Sequence, residues 1–105
     1  MIARVWTAHA TPTRARAYTD HVRAHVVPAL RRQKGYVRAM LLERRASRLV
    51  EITVMTLWRS LDAVRGFAGS DVTRAVVADE AAALLTRFDH RVRHYEIVVS
   101  DDTGR

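Results

Sequence analysis

At 105 residues, 49% of them hydrophobic, the chain has the size and composition of one small globular domain. Its lack of cysteine excludes disulfides, thiol nucleophiles and Cys-based zinc sites. The net charge is +7, but the arginines are scattered from Arg4 to Arg105 with no run longer than Arg31-Arg32 or Arg44-Arg45.

That scatter carries neither a recognition-helix pattern nor the aromatic-basic interleaving of single-strand binders, so no nucleic-acid partner is expected. The charge favours an anionic ligand instead. No apolar run approaches the roughly 20 residues of a bilayer span, so no membrane partner is expected either. Met1–His9 lacks the apolar core of a signal peptide, and the expected address is the cytoplasm.

Residues 1–9 read as a first strand with Ile2, Val5 and Trp6 at its bulky positions. Thr11-Pro12 then reads as a helix cap followed by proline at the first helical position. Ala15, Tyr18, Val22, Val26 and Ala29 recur at spacings of three and four, giving one apolar helical face. Pro28 is expected to kink that helix or end its regular part, and Gly35 closes the segment. Residues 36–45 and 48–58 form an antiparallel hairpin around Ala46 and Ser47.

A short helix over 60–68 follows, with Ser60 as cap, then a turn at Gly69-Ser70-Asp71. Val77, Ala81, Leu84, Leu85 and Phe88 share the face of a further helix, with Asp79 as its expected cap. A last strand spans 90–99. The order β-α-β-β-α-β predicts an α+β, ferredoxin-like fold with a four-stranded antiparallel sheet. On the third strand Val50, Ile52, Val54 and Trp58 share one face, and Thr53, Met55 and Leu57 the other. Two helical segments cover only one face of such a sheet, so a homodimer is expected to bury the second.

Trp58, at a strand-to-helix corner, marks the expected pocket, where it could stack on an aromatic ligand and donate its indole N–H. His90, His94 and Glu96 alternate onto one face of the last strand, and a His-carboxylate pair there suits a general base. His21 and His25, spaced i, i+4, have the geometry of a metal pair, but no H-E-x-x-H signature accompanies them and no metal site is predicted. Arg4 alternates with Ile2 and Trp6, as Arg38 does with Tyr36 and Met40. Each is either an edge side chain reaching water or an anion-holding group, and the former is expected. Asp62 complements the dipole of the short helix.

With this layout, T-L-W-R-S at 56–60, F-A-G-S-D at 67–71 and R-H-Y-E-I-V at 93–98 resemble the antibiotic biosynthesis monooxygenase superfamily of dimeric α+β barrels. The resemblance covers residues 1–99 as one domain, leaving 100–105 as a polar tail. Cofactor-independent oxygenases of that superfamily place an Asn four positions before the strand-end Trp and a Tyr six positions after it. Here those positions hold Val54 and Val64. In the haem-degrading branch an Asn on the first strand, a Trp on the following helix and a ligating His form the site, and the corresponding residues here are Thr7, Phe67 and Val77.

The resemblance therefore implies a monooxygenase working without metal, flavin or other cofactor on an aromatic or polyketide-like small molecule. Trp58, Phe67 and Thr7 would bind the substrate, and His94 with Glu96 would move the proton. A catalytically silent small-molecule binding or sensor domain is the alternative that Val54 and Val64 favour. A cofactor-free isomerase or cyclase using the same histidine is a third.

Overall fold

The computed structural model describes residues 1–103 and is organised around one antiparallel sheet. The last two residues of the expected tail, 104 and 105, lie outside the described residues. β1 (Ile2–Ala10) pairs along its whole length with β3 (Leu49–Trp58), which pairs in turn with β2 (Tyr36–Ala46). On its other side β1 takes two short partners. β4 (Arg87–Phe88) lies beside Ala8 and His9, and β5 (Arg93–Glu96) beside Ile2–Val5. The order β2-β3-β1-β4, with β5 also on β1, is the expected ferredoxin-like topology with its last strand divided.

The division is a large bulge. Two residues of β1, Trp6 and Thr7, face the four residues 89–92 between the two short strands. The Asp89 N–H still reaches the Thr7 carbonyl at 3.0 Å. The Asp89 carbonyl accepts from Trp6 Nε1 at 2.7 Å, so an indole satisfies a group the bulge has taken out of the ladder.

α1 (Pro12–His21) starts as expected, with Thr11 Oγ1 accepting from the Arg14 N–H at 3.3 Å. It runs into a π-helical turn over Val22–Val26, closed by the Val27 N–H on the Val22 carbonyl, and then into α2 (Val27–Arg31). Pro28 has no N–H to continue the regular ladder, and the wider turn precedes it. One extra residue in that turn advances the buried face. The expected core position Ala29 is exposed, and Leu30 is buried in its place. The chain then turns back at Gly35, whose φ is +82°.

The β2–β3 hairpin turns at Ser47 with φ +62°. α3 (Leu61–Ala68) is capped by Ser60, whose Oγ accepts from the Ala63 N–H at 3.1 Å, and it ends at Gly69 with φ +90°.

The following helix departs from expectation. α4 (Asp79–Ala82) is a single turn, with Ala78 rather than Asp79 at its cap position. Leu84 and Leu85 follow it, and Phe88 lies on β4 instead of a helical face. The open edge of β1 supplies the reason: pairing with Ala8 and His9 outcompetes the helical periodicity of 77–88. The expected last strand shortens to Arg93–Glu96, because the bulge takes His90 out of the ladder and β1 begins at Ile2, opposite Glu96.

The helices cover one face of the sheet and form two core clusters there. The larger gathers Trp6, Ala8, Tyr18, Val22, Val50, Ile52, Ala81 and Leu85, and the smaller gathers Leu30, Trp58 and Val64. Thr53, Met55 and Leu57, on the other face, belong to neither cluster and are half-buried.

Candidate functional site

Alternation along β1 puts Ile2, Arg4, Trp6, Ala8 and Ala10 on the helix-covered face. Arg4 therefore points inward, and only 5% of it is exposed. The expectation that it reaches water from an edge is corrected, because β1 is flanked on both sides and has no edge there. In register, Arg4 stands between Thr56 on β3 and His94 on β5. Its guanidinium donates through one terminal nitrogen to the Val72 carbonyl at 2.6 Å and through the other to the Arg74 carbonyl at 2.8 Å.

The first of those nitrogens also lies 3.0 Å from His94 Nε2. A guanidinium can only donate, so Nε2 accepts and the imidazole proton resides on Nδ1. Burial brings the Arg4 pKa down to about 10. Burial, and then the Arg4 charge, holds His94 below its ordinary value, which keeps the ring neutral near pH 7. Among the described residues no carboxylate forms an ion pair with Arg4.

Trp58 is fully buried at the end of β3. Its ring stacks on Phe67 of α3 with centroids 5.2 Å apart and meets the edge of Tyr36 at 5.7 Å. Nε1 donates to Thr56 Oγ1 at 2.8 Å, so the indole N–H expected to meet a ligand is spent on a neighbouring hydroxyl. Phe67 in turn lies under the Arg4 guanidinium, 5.7 Å from its centroid.

Arg4, Thr56 and Phe67 border a cavity of about 100 Å³ at the seam between the two core clusters, which neither Trp58 nor His94 lines. Arg4, Thr56 and His21 supply its polar wall, and Trp6, Tyr18, Phe67, Val54 and Val77 much of the remainder. Residues 76–78 close one side. The segment carrying them is tied down by Arg4 at Val72 and Arg74, and by backbone bonds from Val92 to Thr73 and from Ala75 to His90.

Of the residues expected to bind substrate, Phe67 lines the cavity and Trp58 stands behind it. Thr7 is on the opposite face of the sheet, paired with Thr53, because odd positions of β1 face away from the helices. His94 shares the face of Trp58 and touches Arg4, which lines the cavity. Glu96 is exposed, and among the described residues no hydrogen bond joins it to His94.

His21 lines the cavity while His25 is exposed, their rings 5.2 Å apart. Among the described residues no three His, Asp or Glu side chains gather as a metal site. Thr56 went unnoticed in the sequence and Arg4 was read outward. The run Ile2-Arg4-Trp6, with arginine in phase with two large apolar residues, was the available signal for an inward arginine.

A sheet with helices on one face and a cavity between them, lined by rings and a buried cation, defines a ferredoxin-like α+β domain. The chain belongs to the antibiotic biosynthesis monooxygenase family, whose model matches residues 1–79. Among solved structures it is similar to an antibiotic biosynthesis monooxygenase-type protein from Deinococcus radiodurans, with 18% identity, all of both chains covered and a TM-score of 0.64.

A second such protein, from Bacillus cereus, has 15% identity and a TM-score of 0.66, covering 100% of this chain and 98% of that one. The haem degrader MhuD from Mycobacterium tuberculosis, solved with two haems in its active site, has 18% identity and a TM-score of 0.63, covering 97% and 100%. At these identities the likeness carries the fold. No curated protein sequence matches the chain.

Proposed function

We propose that this chain is a cofactor-free monooxygenase acting on an aromatic small molecule in the cavity between sheet and helices. The observation that carries the reading is the cavity wall itself. A family member has here a ring-lined hollow with a buried guanidinium at one end. Oxygenation of this kind begins with an ionised substrate, because a phenolate or carbanion passes an electron to dioxygen directly.

His94 is the proposed base, through Nε2, and Phe67 with Trp58 behind it is the stacking surface. Nε2 becomes available when Arg4 turns its N–H from the imidazole to the substrate oxygen. Haem degradation fits less well: Val77 stands in the wall where the resemblance to haem degraders would place a ligating histidine, and about 100 Å³ is far smaller than a porphyrin.

Oxygen-electrode measurements with single-ring hydroquinones test the proposal. Consumption of dioxygen that falls at least about a hundredfold in His94→Ala is expected, the low end of what a general base contributes. Unchanged consumption in that variant removes the base role, and no consumption by the wild type removes the oxygenase reading. Product formed under nitrogen would point instead to an isomerase or cyclase. One observation favours a silent binding domain as the second reading: the His94 lone pair is already taken by Arg4.

The half-buried Val5, Thr53, Met55 and Leu57 on the sheet's second face support a homodimer, and such an enzyme would work in the cytoplasm. Sedimentation equilibrium at micromolar protein is expected to give the mass of two 11.9 kDa chains. A single-chain mass would overturn the dimer.

A further inference from the structure

Among the described residues the buried Arg4 cation lies over the neutral Phe67 ring and donates only to neutral groups, two backbone carbonyls and one imidazole. They engage three of its five N–H groups. A guanidinium taken out of water ordinarily acquires a carboxylate or a phosphate, since carbonyl dipoles offset only part of its lost hydration. Here the missing anion has a place to go, because Arg4 lines the cavity.

A second donor stands beside it. Thr56 is opposite Arg4 in register, is 6% exposed and lines the same cavity. Its oxygen already accepts from Trp58 Nε1, and among the described residues its own proton has no acceptor. A hydroxyl fixed in this way is set to donate. The rest of the wall is ring and aliphatic surface from Phe67, Trp6, Tyr18 and Val54.

Size narrows the ligand. A dry cavity of about 150 Å³ accepts benzene, so about 100 Å³ excludes a fused system and takes a single ring only with part of it outside the cavity. We propose that the cavity binds a small aromatic oxyanion, one ring bearing an ionised carboxylate or phenolate oxygen, with that oxygen on Arg4 and Thr56 and the ring against Phe67. The inference rests on the reading of this cavity as the ligand site and requires no oxygen chemistry.

The test is isothermal titration calorimetry of the full chain at pH 7 with benzoate and with its neutral isostere benzamide. Wild type is expected to bind benzoate about tenfold or more tightly than benzamide, the scale of a charge-assisted hydrogen-bonded pair. Arg4→Gln, which keeps an amide to bond the loop carbonyls, is expected to remove the preference. Thr56→Val should weaken benzoate several-fold and benzamide less, because a neutral carbonyl takes the weaker hydrogen bond, while Thr56→Ser retains the wild-type preference.

Equal affinities in wild type, binding of neither compound, or a preference that survives both Arg4→Gln and Thr56→Val would overturn the proposal. Circular dichroism confirms that each variant is folded, and the threonine pair decides the matter if Arg4→Gln is not. Oxygen uptake is not read, so failure of the oxygenase reading and failure of this one remain distinguishable.

Discussion

Replacement of Trp58 by alanine is expected to cost about 3–5 kcal/mol of folding stability, a large share of what a domain of this size has. The side chain is fully buried and joins Leu30 and Val64 in the smaller core cluster. Its removal would leave a cavity between sheet and α3, unstack Phe67 and strip Thr56 of its indole donor. Trp58→Phe should be milder, at about 1–3 kcal/mol, because the ring stays and mainly the hydrogen bond goes. Urea unfolding of the three proteins measures both. Equal losses in the two variants would mean that the hydrogen bond, and not the packed ring, dominates.

The second large effect is expected at Gly35. A Cβ built there falls 2.5 Å from the Ala63 Cβ on α3, and the backbone φ of +82° disfavours any L side chain. Gly35→Ala should therefore lose about 2–4 kcal/mol, the sum of a left-handed alanine and an overpacked contact. The two causes are separable. Ala63→Gly added to Gly35→Ala removes the contact and leaves the backbone strain, so the double variant should be more stable than the sum of the singles predicts. Strict additivity would show that the close approach carries no energy. The site matters because the Gly35 carbonyl accepts from the Arg59 N–H at 2.9 Å, tying the α2–β2 connection to the Trp58 corner.

Both positions lie where the fold could be read from the chain itself. The Thr11 and Ser60 caps, the Gly35 and Gly69 stops and the 36–58 hairpin are each written within a few neighbouring residues. The C-terminal third is different. Val77, Ala81, Leu84, Leu85 and Phe88 have helical spacing, but β1 needed a partner, and that need is invisible locally. Likewise the shift of the buried face from Ala29 to Leu30 depends on one π turn that no residue spacing announces.

The site was legible in outline only. Trp58 lies beside the cavity without lining it, and Phe67 and His94 fall on its side of the sheet. Arg4 was misjudged because a strand's sequence does not say whether it is central or peripheral, and an arginine is tolerable at one and conspicuous at the other. Thr56 had no signal until Trp58 Nε1 was found upon it.

The division of the last strand also bears on how the molecule behaves in a crowded solution. A sheet has two free borders, and each is a template on which a foreign strand can add and start aggregation. On one border the template is cut at residues 89–92, leaving pieces of two and four residues. On the other, β2 is long but irregular between Tyr36 and Arg38, and it exposes Arg38, Glu43, Arg44 and Arg45. Neither border offers an unbroken, uncharged run longer than the four residues Ala39-Met40-Leu41-Leu42.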